Sequence, residues 1–135
     1  MKMKNMFYRV LSAILCMFSF VGCGKTEEVK KHKYEMITPA EAKDIMDKQA
    51  DYIILDVRTE EEFAEGHIAG AILIPDYEIE KKAETVLTDK DQQILVYCRS
   101  GRRSKNAASQ LAKLGYTNVK DFGGIIDWPY ETTKE

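Results

Sequence analysis

The chain has 135 residues, with 20 Lys and Arg against 22 Asp and Glu, and carries a formal net charge of −2. That length holds one ordinary domain, and 31% charged with 44% apolar residues argue against a disordered chain or a multi-span membrane protein. The near-neutral balance argues against a dedicated nucleic-acid binder, which needs a basic face. Three cysteines, an odd number, argue against a disulfide framework.

The N-terminus differs from the rest. Lys2, Lys4 and Arg9 form a basic start, and an apolar run of 12 residues, Val10 to Val21, precedes Gly22-Cys23. The run is well short of the ~20 residues a spanning helix needs. Basic start, short apolar centre and small residue predict an export signal over 1–22. Phe20-Val21-Gly22-Cys23 resembles the bacterial lipobox, with Phe20 where that motif usually carries Leu. The resemblance implies a lipidated Cys23 and an extracytoplasmic protein anchored to the bacterial cell membrane, since two or three acyl chains hold firmly where one does not. Residues 23–35, rich in Lys and Glu, read as a charged tether, and 36–135 as the folded domain. Without residues 1–22 the chain holds 17 basic and 22 acidic residues, a net charge of −5. Cys16 falls inside the signal, so Cys98 is the one free thiol expected in the mature domain.

Along the domain, helical and strand signals alternate. Thr38-Pro39-Ala40-Glu41 combines an N-cap Thr, a Pro at the first helical position and a Glu three residues after the cap, and opens a helix to about Gln49. Tyr52 to Leu55 is a short apolar run ending at Asp56, which predicts a strand buried on both faces. Thr59 to Glu62 repeats the capping pattern and opens a short helix. A turn-rich link, Gly66 to Gly70, leads to a strand at Ala71 to Ile74, stopped by Pro75. A helix at Glu78 to Leu87 and a strand at Gln93 to Tyr97 follow. The next helix spans Ser104 to Leu114 and closes at Gly115. A last strand covers Val119 to Phe122 before the turn Gly123-Gly124. Strands separated by helices predict an α/β fold, a small single domain with a central, mostly parallel sheet flanked by helices on both faces.

The chemistry concentrates where the strand ending at Tyr97 meets the next helix. Ligands bind outside the carboxyl ends of strands in open parallel sheets, and Cys98 sits at such an end. The following helix N-terminus adds roughly half a positive charge and free N–H donors. Arg99, Arg102 and Arg103 surround the thiol in an otherwise net-negative domain. Each effect favours thiolate over thiol, which predicts a nucleophilic Cys98. Gly101 permits a tight loop whose N–H groups point inward as an anion cradle.

Cys98-Arg99-Ser100-Gly101-Arg102-Arg103-Ser104 resembles the active-site loop of rhodanese-type sulfurtransferases. Asp56-Val57-Arg58, Glu62-Phe63, Gly66-His67-Ile68-Ala69-Gly70-Ala71 and Ile74-Pro75 resemble the family's upstream signature. Gly123-Gly124-Ile125-Ile126-Asp127-Trp128 resembles its C-terminal one. The resemblance spans most of residues 50–130. It implies a rhodanese-like domain at 36–135 that moves sulfane sulfur through a Cys98 persulfide. The donor would be a small anion such as thiosulfate, the acceptor a thiol or cyanide, and residues 99–104 would bind the donor. It also leaves open a sulfur-carrier or protein-interaction role with little turnover.

Cysteine phosphatases and arsenate reductases, found on related folds, place five residues between Cys and a clamping Arg. Here that position is Ser104, and Arg103 comes one residue early. Asp56 and Arg58 are expected near the site, in an Asp–Arg or Arg58–Glu62 pair that holds the loops. His67 is expected to make a structural hydrogen bond, and Trp128 to lie as a lid over the sheet edge. Neither His67 nor His32 has a partner at metal-ligand spacing, so no metal and no cofactor are predicted.

Overall fold

The computed structural model of the protein describes residues 33–135. The expected signal, the lipobox and all of the tether up to His32, with Cys16, Cys23 and His32, lie outside the described residues. The elements run β1 (Glu35–Met36), α1 (Pro39–Lys48), β2 (Tyr52–Asp56), α2 (Glu60–Glu65), β3 (Ile72–Leu73), α3 (Ile79–Val86), β4 (Gln93–Cys98), α4 (Arg102–Lys113) and β5 (Val119–Gly124). Short 3₁₀ turns cover Asp76–Glu78 and Ile125–Asp127.

The strands form one five-stranded sheet in the order β1-β5-β4-β2-β3, with every described pairing parallel. Strand β4 lies at its centre, paired to β2 from Tyr52↔Gln93 to Asp56↔Tyr97 and to β5 from Ile94↔Val119 to Cys98↔Gly124. Side chains of a strand alternate between faces. Ile94, Val96 and Cys98 therefore join the core with Ala107, Ala108 and Leu111 of α4 and Ala83 of α3. Leu95 and Tyr97 join the opposite core with Ala42 of α1, Phe122 and Trp128. Burial on both faces explains why β2 and β4 read as continuous apolar runs, each fully buried aliphatic side chain contributing about 1.5–3 kcal/mol.

Helices α1 and α2 start as their sequences dictate. Thr38 Oγ1 accepts the Glu41 N–H at 3.2 Å while Glu41 accepts the Thr38 N–H at 2.7 Å; Thr59 and Glu62 do the same at 3.2 and 3.4 Å. Three features depart from the expectations. Glu35, read as tether, already belongs to β1 beside Lys120, and Tyr34 packs on the core. Two residues carry too little pattern to announce a strand. Helix α4 begins at Arg102 rather than Ser104, because Gly101 at φ +99° turns the chain directly into helix. Gly123 and Gly124, read as a turn, complete β5.

Candidate active site

Parallel pairing sends the carboxyl ends of β2, β4 and β5 to one edge, and the residues with chemistry collect there. Cys98, the last residue of β4, is fully buried and is the only cysteine among the described residues. The loop after it folds back so that the Gly101 N–H donates to Cys98 Sγ at 3.0 Å. Ser104 Oγ lies 3.5 Å from the same sulfur and also reaches the Gly101 and Gly123 carbonyls at 3.2 and 3.4 Å. A backbone donor aimed at sulfur, at the start of a 12-residue helix, stabilises negative charge on that atom.

The loop keeps this shape by leaning on β5. The Ile126 N–H donates to the Arg99 carbonyl at 3.2 Å. A Cβ on Gly124 would stand 2.1 Å from that same carbonyl oxygen and 2.6 Å from Ser100 Cα. Only glycine permits the approach, so Gly124 is as much a part of the loop as Gly101. Its place in a Gly-Gly pair was legible, but its partner across the sheet was not.

The basic residues divide by what they touch. Arg58 is buried against Asp56, its Nε 3.0 and 3.1 Å from the two carboxylate oxygens and its Nη2 2.7 Å from one of them. Its Nη2 also donates to the Gly66 carbonyl at 2.7 Å. Burial alone would lower the Arg58 pKa, but the Asp56 hydrogen bonds and charge outweigh it and raise it. The expected Asp–Arg pair is therefore present. Glu62, the other candidate partner for Arg58, instead receives Arg103 end-on, with Nη1 to Oε1 at 2.6 Å and Nη2 to Oε2 at 2.9 Å. Arg103's hydrogen bonds hold the Glu62 carboxyl down at about 2. With its fork on Glu62, Arg103 ties α4 to α2. Arg99, Ser100 and Arg102 are exposed, and neither Arg99 nor Arg102 has an ion-pair partner among the described residues.

A cleft of about 500 Å³ lies against the loop, lined by Arg99, Arg58, Glu62, Gly66, Ile125 and Trp128. Trp128 packs on Phe122 with ring centroids 5.4 Å apart and covers the core as well as the cleft. Tyr97 is a contributor the sequence did not flag. Its hydroxyl accepts the Ile68 N–H at 3.1 Å and its ring lies 5.6 Å from the Arg58 guanidinium carbon, so it props the upstream loop beside Arg58. Burial pushes its phenol pKa well up. His67 stacks on Phe63 at 3.7 Å and places its ring nitrogens 2.8 and 2.9 Å from the Phe63 and Glu135 carbonyls, the structural role expected of it.

A buried cysteine at a strand end, an N–H directed at its sulfur and a basic helix start define an α/β domain with a thiol set in an anion-stabilising loop. The rhodanese-like domain family matches residues 38–129, and the chain belongs to that family. It is 40% identical over 73 residues to the thiosulfate sulfurtransferase PspE of Escherichia coli (strain K12), covering 54% of this chain and 70% of that protein. It is 38% identical over 79 residues to a sulfurtransferase of Allochromatium vinosum, covering 58% and 72%. A solved structure described as rhodanese with anions from E. coli superposes with a TM-score of 0.59 at 36% identity, covering 62% of this chain and 99% of that one. Sulfur transfer is thus the general activity of the class to which this chain belongs.

Proposed function

We propose that the protein takes sulfane sulfur from a small anionic donor such as thiosulfate and passes it to a thiol or cyanide, with Cys98 as the carrier atom. The observation that carries this reading is the Gly101 N–H on Cys98 Sγ at 3.0 Å. In the first step the Cys98 thiolate attacks the outer sulfur of thiosulfate; the sulfur–sulfur bond of the donor breaks and sulfite leaves with its electron pair. The product is a Cys98 persulfide. Its negative charge is stabilised at the start of α4, and the exposed Arg99 and Arg102 attract the dianion. Arg103, held by Glu62, shapes the loop rather than the donor's coordination. In the second step the acceptor attacks the outer sulfur, and the electron pair of the broken bond returns to Cys98 Sγ.

The reading includes a lipid anchor at Cys23 and an extracytoplasmic site of action, supported by the basic start, short apolar run and lipobox-like residues of the N-terminus. Intact-mass spectrometry of the full chain extracted from bacterial membranes tests both parts. Treatment with thiosulfate adds one sulfur to the wild type, reversibly with a thiol reductant, and none to Cys98→Ser; the acyl mass is lost in Cys23→Ser. A wild type that gains no sulfur from thiosulfate or polysulfide overturns the transfer reading, and an unmodified Cys23 overturns the anchor.

A further inference from the structure

The donor accounts for the cradle and the arginines but not for what surrounds them. Among the described residues five large apolar side chains are exposed, and three of them ring the catalytic loop. Ile126, 64% exposed, sits on the turn whose N–H holds the Arg99 carbonyl. Tyr130, 38% exposed, shares the cleft with Arg99. Tyr77, 69% exposed, stands on the 3₁₀ turn that packs against α4 and hangs from the Val57 carbonyl through the Asp76 N–H at 3.0 Å. Tyr77 and Ile126 are mostly open to solvent, Tyr130 is partly covered by Trp128 at 4.8 Å between ring centroids, and a small dianion makes no use of any of them. The loop itself carries Arg99 and Arg102, exposed and without ion pairs among the described residues, whereas Arg58 and Arg103 are each held by a carboxylate. Aromatic residues and arginine around a partly desolvated centre are the composition of a protein-recognition patch.

We propose that this rim docks a protein acceptor, in the form of an extended segment whose cysteine is flanked by an acidic residue and then by apolar ones. Charge fixes the acid: Arg99 and Arg102, exposed and without ion pairs among the described residues, stand at the loop that carries Cys98, and Glu65 in the cleft with Arg99 limits the acid to the residues next to the cysteine. Depth fixes the extended form. Cys98 is fully buried within its loop, so the acceptor thiol is carried toward the outer sulfur on a narrow segment. The proposal rests on the persulfide reading. The acceptor thiolate attacks the outer sulfur, the Cys98 sulfur–sulfur bond breaks, Cys98 regains its thiolate, and the sulfur leaves as the acceptor's persulfide with no outside oxidant.

The test uses the full chain, loaded with thiosulfate, freed of donor, and discharged under rapid-quench mass spectrometry. Three thiols are compared: free cysteine, a pentapeptide with cysteine between two aspartates and terminal phenylalanine and leucine, and the same peptide with lysines for aspartates. Flanking aspartates lower the thiolate fraction of the probe, so intrinsic reactivity runs against the expected order. The acidic peptide is expected to discharge the protein about tenfold faster than either other thiol at low salt, with the advantage shrinking as salt rises. Tyr77→Ser is expected to cut that advantage severalfold while loading and discharge to free cysteine stay unchanged; Ile126→Ser, on the turn that holds the loop, is expected to cut the advantage measured relative to its own rate with free cysteine. Equal rates for the three thiols, a faster lysine peptide, or an advantage untouched by both variants overturns the proposal. A wild type that never loads overturns the persulfide reading beneath it, a separate and recognisable result.

Discussion

Helices α1 and α2 begin with the same device and end in different roles. Thr38 and Glu41 cap one helix at the protein surface, and Thr59 and Glu62 cap the other with the same reciprocal bonds. Among the described residues the Glu41 carboxylate hydrogen-bonds only within its own cap, and the Thr38 hydrogen bonds lower its pKa. Glu62 holds its cap and the Arg103 fork together, and its carboxyl is held at about 2. One local motif thus stabilises a peripheral helix in the first case and fastens the cysteine loop's helix to the upstream segment in the second. The lesson is that a capping box reports helix initiation, whereas the third partner is supplied by the fold.

The sharpest way to mark the boundary between site and periphery is at the sheet. Gly124→Ala is expected to cost about 1–3 kcal/mol, because the Arg99 carbonyl must be driven back. It should also reduce sulfur loading by more than about tenfold through loss of the cradle geometry. Urea unfolding and single-turnover loading measure the two effects. Retained loading would show that the loop tolerates a different seat against β5.

A smaller effect separates the two caps themselves. Glu41→Ala and Glu62→Ala each remove the returning half of a capping box and leave the N-cap threonine in place. Only Glu62→Ala also leaves Arg103 without its partner, so it alone is expected to slow thiosulfate loading, by about threefold to tenfold. Equal loading by the two variants would break the distinction.

The smallest effect is read from pH. The Glu62 pKa is depressed in the folded state from an ordinary value near 4.5 to about 2, so its stabilisation is fully present above about 4.5 and fades as pH falls toward 2. The stability gap between wild type and Glu62→Gln should therefore narrow across that window, by a modest amount given the pair's partial exposure to solvent. A gap that stays constant from pH 5 to pH 2.5 would mean that Arg103 does not hold Glu62 in solution.

Much of this protein is written locally. The Asp56–Arg58 pair was one of two pairings the sequence offered, and both capping boxes, the buried runs of β2 and β4 and the loop from Cys98 to Ser104 were readable from spacing and residue type. Long-range contacts were not. Two-residue β1 has no periodicity to display, and its existence depends on the β5 backbone beside it. The choice of Arg103 rather than Arg58 as partner for Glu62 joins residues 41 positions apart. The collision that keeps Gly124 a glycine, the Tyr97 hydroxyl beneath the Ile68 amide and the exposed rim around the cysteine likewise arise from distant segments meeting at one edge of the sheet. Sequence pattern determined most of the elements and the place of the cysteine loop between a strand and a helix, because hydrogen bonding and hydrophobic period act within a few residues. Only the tertiary structure decided which arginines are held and which are left facing solvent, because side-chain pairing is fixed by the packing of elements far apart in the chain.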